Sequence, residues 1–232
     1  MLKNTLINRM ATRKIAQALG TLNEQVVYVG GAVVSLYIDD PGAADVRPTK
    51  DVDISLEIAS LGALEALRET LIQKGFYQSA EDNVVCRFRF EDIKVDVMGT
   101  EAVGWAPANR WFAPGFKQRI SYSLDGLIIH MLPLPYYLAS KLEAFYDRGI
   151  KDPRTSHDFE DVVYLLNYTS DLKFQVQASA DEVRHYLIHR FADILADPDK
   201  QEAILGSLFY EDQMLRFDRI IKLLNEITHG LQ

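Results

Sequence analysis

The stretch VVYVGGAVVSLY (26–37), followed after a loop by RPTKDVDIS (47–55), decides the fold. Its first four residues are apolar and mostly β-branched, which predicts a short buried strand. The strand ends at Gly30-Gly31, where the backbone can come close to a ligand and N–H groups at the start of a short helix can hold a phosphate. Taken alone, the doublet is equally typical of a plain tight turn.

The strand that follows the loop carries a pair of acids. DVDISLE (51–57) alternates strictly, so Asp51 and Asp53 project from one face of the strand. Two neighbouring carboxylates repel each other unless a cation lies between them, and Mg²⁺ takes oxygen ligands while it shares the rest of its shell with substrate phosphates. The alternative interpretation is a solvated charged face without a ligand.

A third acid is expected on a hairpin further along the chain. VVCRFRF (84–90) and IKVDVM (93–98) are separated by only two residues, which predicts a tight antiparallel hairpin. In that register Arg87 pairs with Asp96, and both lie on the polar face. Asp96 is therefore the candidate for a third metal-binding acid, and a simple cross-strand ion pair with Arg87 is the alternative.

Composition excludes several classes of protein. The 232 residues are 48% hydrophobic and 25% charged, as in an ordinary globular chain and unlike a disordered or fibrous one. The net charge of −8 means that any contact with RNA needs a local basic patch. A single cysteine excludes an intrachain disulfide, and no apolar run approaches the roughly 20 residues of a membrane span. We expect a cytoplasmic protein without a membrane partner.

The pattern of predicted elements changes near residue 125. Before it, short β-rich runs alternate with helical stretches, and residues 1–22 predict a first amphipathic helix rather than a cleaved leader. After it the signal is helical, which predicts an α/β domain over residues 1–125 and a helical domain over 126–232. The helices are expected at about 135–148, 156–168, 181–195 and 209–228.

One basic segment near the end of the first half has two interpretations. Its cations are Arg110, Lys117 and Arg119, and they surround three aromatic residues without an intervening acid. Such a segment can bind single-stranded RNA. An ordinary loop that buries its aromatic side chains is the alternative.

The order of strand, Gly30-Gly31, helix, RPTKDVDIS (47–55) and KVDVM (94–98) resembles the DNA polymerase beta-like nucleotidyltransferase superfamily. Within it the sequence is most similar to the AbiEii-type nucleotidyltransferases, several of which are toxins of toxin–antitoxin pairs. The later stretch LPLPYYLASKLEAFYDRG…SHDFEDVVYLL (132–166) is similar to that family's lysine-containing helix and the aspartate-containing helix after it.

The resemblance implies an α+β fold, with a mixed β-sheet nucleotidyltransferase core and flanking helices followed by a helical C-terminal domain. It implies an Mg²⁺-dependent enzyme, with two ions, that moves an NMP from an NTP onto a hydroxyl of RNA, tRNA, protein or a small molecule, and a cognate antitoxin as a partner. The alternative is a catalytically silent module on the same fold that senses nucleotide or binds a partner.

The resemblance also assigns roles to individual residues. Carried over position by position, it implies that Gly30 and Gly31 hold the triphosphate. It implies that Asp51, Asp53 and Asp96 bind the metal ions, with Asp96 as general base. In the helical half of the site, Lys141 would contact phosphates, and Asp158 and Asp161 would order this half. Nineteen residues separate Gly31 from Asp51, more than in most relatives, and the extra length falls in the 39–48 loop. This insertion leaves open which of Ser35, Arg47 or Thr49 reaches the nucleotide.

Three of these roles have structural alternatives. From the residues alone, the favoured interpretation of Lys141 is a solvated surface lysine. Asp158 and Asp161 lie in the first turn of a predicted helix, where acids complement the helix dipole and Thr155 can serve as the cap.

Overall fold

The computed structural model describes residues 2–49, 51–149 and 152–229. The chain forms two compact units, one from residues up to 36 together with 44–133, the other from 37–43 together with residues from 134 onward. The expected boundary at 125/126 lies in a turn between two paired strands, and the first unit continues to Pro133.

A six-stranded mixed sheet forms the centre of the first unit, in the order β3-β4-β2-β1-β6-β5. Its strands are β1 (Val26–Val29), β2 (Asp51–Leu56), β3 (Arg87–Phe90), β4 (Ile93–Gly99), β5 (Ile120–Leu124) and β6 (Leu127–Met131). Two pairs, β2 with β4 and β1 with β6, are parallel, and the other neighbours are antiparallel. β1 and β2 lie inside the sheet, and their apolar side chains are almost fully buried.

Helices flank this sheet. They are α1 (Lys3–Leu19), α2 (Leu61–Gln73) and α3 (Phe112–Phe116), with short 3₁₀ helices at Gly20–Gln25 and Gly31–Leu36. The first helix is confirmed, and the short helix expected after the glycine doublet is the second 3₁₀ helix. α3 belongs to the basic segment, whose Trp111, Phe112 and Phe116 are buried, in agreement with the loop-packing interpretation.

The β3–β4 hairpin has the predicted register. Arg87 pairs with Asp96 and Phe90 with Ile93, and Glu91 in the turn has a φ of 51°. Phe88, Val95 and Val97 are buried on one face because the pleat alternates with the sequence, and Phe90 and Ile93 next to the turn are half-buried. Residues 84–86 of the predicted first strand lie outside β3.

The second unit is helical. Its helices are α4 (Leu134–Ala144), α5 (His157–Tyr168), α6 (Leu172–Ala178), α7 (Asp181–Ala196), α8 (Pro198–Gly206) and α9 (Gln213–His229), and a π-helical turn follows α4 at Phe145–Gly149. α4 packs against both α5 and α7 and is buried over most of its length, so it is the central helix of this unit. The four expected helices are present, whereas α6 and α8 were not predicted. In the described part of the chain no helix has the length and apolar character needed to cross a membrane.

The 39–48 loop is divided between the two units. Asp39 accepts hydrogen bonds from the backbone N–H and the hydroxyl of Ser170 in the helical unit, at 2.9 and 2.5 Å. Asp45 belongs to the first unit, where it accepts bonds from the backbone N–H groups of Asn4 and Thr5, both at 2.8 Å. Asp39 and Asp45 of the inserted loop therefore have structural roles. The sheet and the helices together confirm the expected α+β fold.

Candidate active site

Three carboxylates lie on one face of the two neighbouring strands β2 and β4. In the parallel register of these strands, Asp53 is directly beside Asp96. Residues in register share a face of the sheet, and Asp51 shares it too because it lies two positions before Asp53. Adjacent strands are about 4.8 Å apart, so Asp53 and Asp96 start from backbone positions that allow their side chains to act on one ligand.

The glycine turn is in contact with one of these acids. Gly30 follows β1 with a φ of +71°, and a Cβ at this position would lie 1.7 Å from Oδ2 of Asp53. A side chain is excluded both by the backbone conformation and by the carboxylate. The backbone of the Gly30-Gly31 turn therefore lies directly against Asp53, where N–H groups and a carboxylate can meet the same ligand.

Arg87 connects the other two acids. Its Nε and Nη2 donate to the two oxygens of Asp96, each at 2.7 Å, and Nη2 also donates to Oδ2 of Asp51 at 3.3 Å. Asp96 is only 9% exposed, so this bidentate pair is shielded from water. The hydrogen bond to Asp96 raises the pKa of Arg87 above its ordinary value, and the guanidinium stays charged.

The two hydroxyl groups predicted near the nucleotide, those of Thr49 and Ser35, differ in their hydrogen bonds. The Oγ1 of Thr49 donates to Oδ1 of Asp51 at 2.8 Å, so both oxygens of Asp51 accept hydrogen bonds. Ser35 lies on the 3₁₀ helix after the turn, and its buried Oγ has no hydrogen-bond partner among the described residues. Of the two hydroxyls, only that of Thr49 is bonded to the carboxylates.

The chemistry of these side chains fits a divalent cation, since carboxylate oxygens are the ligands that Mg²⁺ prefers. Asp51, 32% exposed at its side chain, is accessible to an ion. Asp96 is already engaged, because both of its oxygens accept from Arg87. Among residues 2–49, 51–149 and 152–229, no group of three or more His, Cys, Asp or Glu side chains is placed to hold a metal ion. The metal-binding roles of the three acids therefore remain predictions.

In the helical unit, the lysine that was predicted to contact phosphates forms a buried ion pair. Lys141 lies on α4, is 5% exposed, and its Nζ is 2.7 Å from Oδ2 of Asp161 and 3.4 Å from Oδ1 of Asp158. The interpretation of Lys141 as a solvated surface lysine is wrong. Asp161 is 2% exposed, so the ammonium compensates a carboxylate that has almost no access to water.

Of the two acids, Asp158 lies in the first turn of α5, as expected, whereas Asp161 lies in the turn after it, so its expected place in the first turn is wrong. Ser156 is the cap of this helix, with its Oγ accepting from the N–H of Phe159 at 3.3 Å, so the expectation of a cap at Thr155 is wrong. Asp158 also accepts a hydrogen bond from the exposed Arg148 at 3.0 Å. Sequence reasoning missed this bond, because Arg148 lies in the π-helical turn, whose side-chain directions do not follow helical spacing.

The six-stranded mixed sheet with its flanking helices has counterparts among solved structures. An antigenic nucleotidyltransferase-like protein from Paracoccidioides brasiliensis has a similar fold, with a TM-score of 0.50, 16% sequence identity, and coverage of 86% of this chain and 92% of that one. A candidate nucleotidyltransferase from H. pylori aligns with a TM-score of 0.41 and 12% identity over 100% and 99% of the two chains. No curated protein matches this chain in sequence.

The family follows from the sequence profile. The profile described as "Nucleotidyl transferase AbiEii toxin, Type IV TA system" matches residues 15–227, nearly the whole chain. The chain belongs to the AbiEii nucleotidyltransferase family, as the resemblance predicted, and is a nucleotidyltransferase. Membership of a type IV toxin–antitoxin family implies an NTP substrate and a cognate antitoxin.

Proposed function

We propose that this protein transfers an NMP from an NTP to a hydroxyl acceptor in an Mg²⁺-dependent reaction. The observation that supports this most strongly is the position of Asp51, Asp53 and Asp96 on one face of β2 and β4, with the Gly30 backbone against Asp53. Hard oxygen ligands and backbone N–H groups at one place suit a nucleoside triphosphate with its cation.

The acids have distinct roles in this proposal. Asp51 and Asp53 hold the cation, and Asp96 is the third ligand and the general base. When bound, Mg²⁺, which we propose to be two ions, stabilises negative charge on the phosphates. The acceptor oxygen forms a bond to the α-phosphorus as the bond to the leaving pyrophosphate breaks, and the acceptor's proton passes to a carboxylate oxygen of Asp96.

Other residues position the nucleotide. Gly30 and Gly31 hold the triphosphate through backbone N–H groups, and the hydroxyl of Thr49 orients Asp51. Ser35 and Arg47 remain candidates for nucleotide contact. In the helical unit, Lys141 is proposed to contact phosphates, with Asp158 and Asp161 orienting its ammonium group.

The acceptor and the cellular context are further proposals. RNA, tRNA, a protein or a small molecule can supply the hydroxyl, and the net charge of −8 favours a small acceptor footprint over an extended nucleic-acid one. The reaction uses nucleoside triphosphates, so we place it in the cytoplasm. As a toxin, the protein is expected to slow growth, with a cognate antitoxin that relieves the effect.

The experiment is incubation with each of the four α-³²P-labelled NTPs and cell extract, followed by separation of RNA from protein. We expect label in one fraction with the wild type and at least about 100-fold less with Asp51→Asn or Asp53→Asn, since loss of such charge stabilisation costs several kcal/mol. Asp92→Asn, an exposed acid in the hairpin turn, is the matched control and keeps activity. Nucleotide binding without any covalent label would instead identify a silent sensor module.

A further inference from the structure

Arg87 has a position that an enzyme with a divalent cation does not require. It is the direct cross-strand partner of Asp96, and it donates to both oxygens of Asp96 and to one oxygen of Asp51. A guanidinium with these contacts occupies lone pairs that a cation would use. Arg87 and a cation therefore cannot both have full access to Asp96.

The charges explain why the pair forms. Three carboxylates on one face carry a formal charge of −3, and Arg87 reduces it to −2. Of the two acids that contact Arg87, Asp96 is more shielded from water than Asp51. Asp96 therefore depends more on a partner of opposite charge. Either the guanidinium or a divalent cation can meet this need.

The position of Arg87 also allows it to leave. It lies on β3, at the end of the strand order in the described sheet, and its side chain is 15% exposed. A rotation about its side-chain torsions brings the guanidinium toward solvent without any change in the strand register. Asp96, on the inner strand β4, stays in place.

We propose that Arg87 and the divalent cation compete for Asp96, so that Arg87 neutralises the acids before loading and is displaced as the cation binds. This inference rests on the proposed function, because it concerns the same cation. Arg87 is thus a positioning residue.

The first measurement is the affinity for Mn²⁺ alone, read from the electron paramagnetic resonance signal of the free ion, on the full chain without nucleotide. Arg87→Gln is expected to bind Mn²⁺ about tenfold more tightly than the wild type or better, since a charge-assisted bond contributes at least that factor. Arg87→Lys keeps the charge but lacks the planar fork that makes two parallel hydrogen bonds, and its Mn²⁺ affinity is expected to lie between those of the wild type and Arg87→Gln.

Arg89→Gln is the matched control. Arg89 lies two residues further on the same strand and face, but it pairs with Asp82 at 2.7 Å. Its loss removes the same charge without freeing Asp96, so Mn²⁺ affinity should stay within about threefold of the wild type, the effect of one screened charge. Should Arg89→Gln tighten binding as much as Arg87→Gln, general electrostatics would explain the result and the competition would be refuted.

A double-variant cycle identifies Asp96 as the contested group. In an Asp96→Asn background the gain from Arg87→Gln should disappear, because the amide no longer attracts the guanidinium. A gain that persists in that background overturns the proposal. If Asp53→Asn abolishes Mn²⁺ binding while Arg87→Gln and Arg87→Lys leave the Mn²⁺ affinity unchanged, the competition is overturned but the proposed function is not. Absence of Mn²⁺ binding in the wild type and in every variant overturns the proposed function as well.

Discussion

At the scale of single residues, Gly30 is constrained twice, by its φ of +71° and by its contact with Asp53. Gly30→Ala places a methyl group where Oδ2 of Asp53 now lies, so the carboxylate must move. We expect transferase activity to fall by at least about 100-fold and the free energy of unfolding to fall by about 1–3 kcal/mol, the usual cost of such backbone strain.

Gly126→Ala is the control for this prediction. Gly126 has a φ of +84° in the β5–β6 turn, with open space where its Cβ would lie. It should lose about as much stability through backbone strain alone, roughly 1–2 kcal/mol, while keeping its activity. Urea unfolding and the labelling assay measure the two quantities. Equal loss of activity in both variants would show that the Gly30 effect is only one of stability.

Lys141 tests whether a buried ion pair serves function or stability. Lys141→Met leaves the carboxylate of Asp161 without its ammonium, so the free energy of unfolding should fall by about 3–5 kcal/mol. Lys141→Met combined with Asp161→Leu replaces the pair by apolar side chains and should recover most of that loss. If Lys141 contacts phosphates, the double variant stays inactive.

Lys173→Met is the comparison for an exposed pair. Lys173 is 3.0 Å from Glu226, and both side chains are about 40% exposed, so the loss should be much smaller than in Lys141→Met. A double variant that regains activity along with stability would assign Lys141 a structural role alone.

At the scale of elements, the start of α1 depends on a residue about forty positions away. Asp45 accepts from the N–H groups of Asn4 and Thr5 and from the Thr5 hydroxyl, all at 2.8 Å, and so caps a helix that lacks a cap of its own. Asp45→Ala should lower the free energy of unfolding by about 0.5–2 kcal/mol, the usual contribution of a cap. Glu57→Ala, at an exposed position after β2, is the control with little effect.

This cap has a defined pH dependence. Partial burial raises the pKa of Asp45, but the hydrogen bonds from Asn4 and Thr5 outweigh it, so the pKa lies below its ordinary value. A lowered folded-state pKa adds stability above the ordinary pKa near 4, and this stability is lost as the pH falls through the folded-state pKa. The difference in urea unfolding between wild type and Asp45→Ala should therefore be full at pH 6 and shrink below about pH 4. A difference independent of pH would contradict a charged cap.

The contrast between the hairpin and this cap shows which features a sequence can predict. The β3–β4 register followed from a two-residue turn and strict alternation, both local, and the pairing of Arg87 with Asp96 followed from them. The reach of Arg87 to Asp51 and the bond from Asp45 to α1 did not follow, because they depend on how distant segments pack. Lys141 was found only through the family resemblance, since nothing local distinguishes a buried lysine from a solvated one.

At the scale of the whole molecule, charge limits the size of the acceptor contact. The net charge is −8, and the basic segment contributes only three exposed cations, Arg110, Lys117 and Arg119. If the acceptor is RNA, we expect about two or three phosphate contacts. Because each contact with a single strand contributes about −0.7 to the slope, a plot of log kcat/KM against log salt should have a slope of about −1.5 to −2.

The measurement is the transfer of labelled nucleotide to the RNA fraction between 50 and 200 mM KCl at constant free Mg²⁺. Six or more phosphate contacts would give a slope steeper than about −4. Lys117→Gln should make the slope shallower by about 0.7 if the basic segment holds the RNA, and Lys222→Gln on the exposed face of α9 should leave it unchanged. A slope steeper than about −4 would contradict the small footprint inferred from the net charge. An unchanged slope in Lys117→Gln would place the RNA contact elsewhere, in keeping with the buried aromatics of that segment.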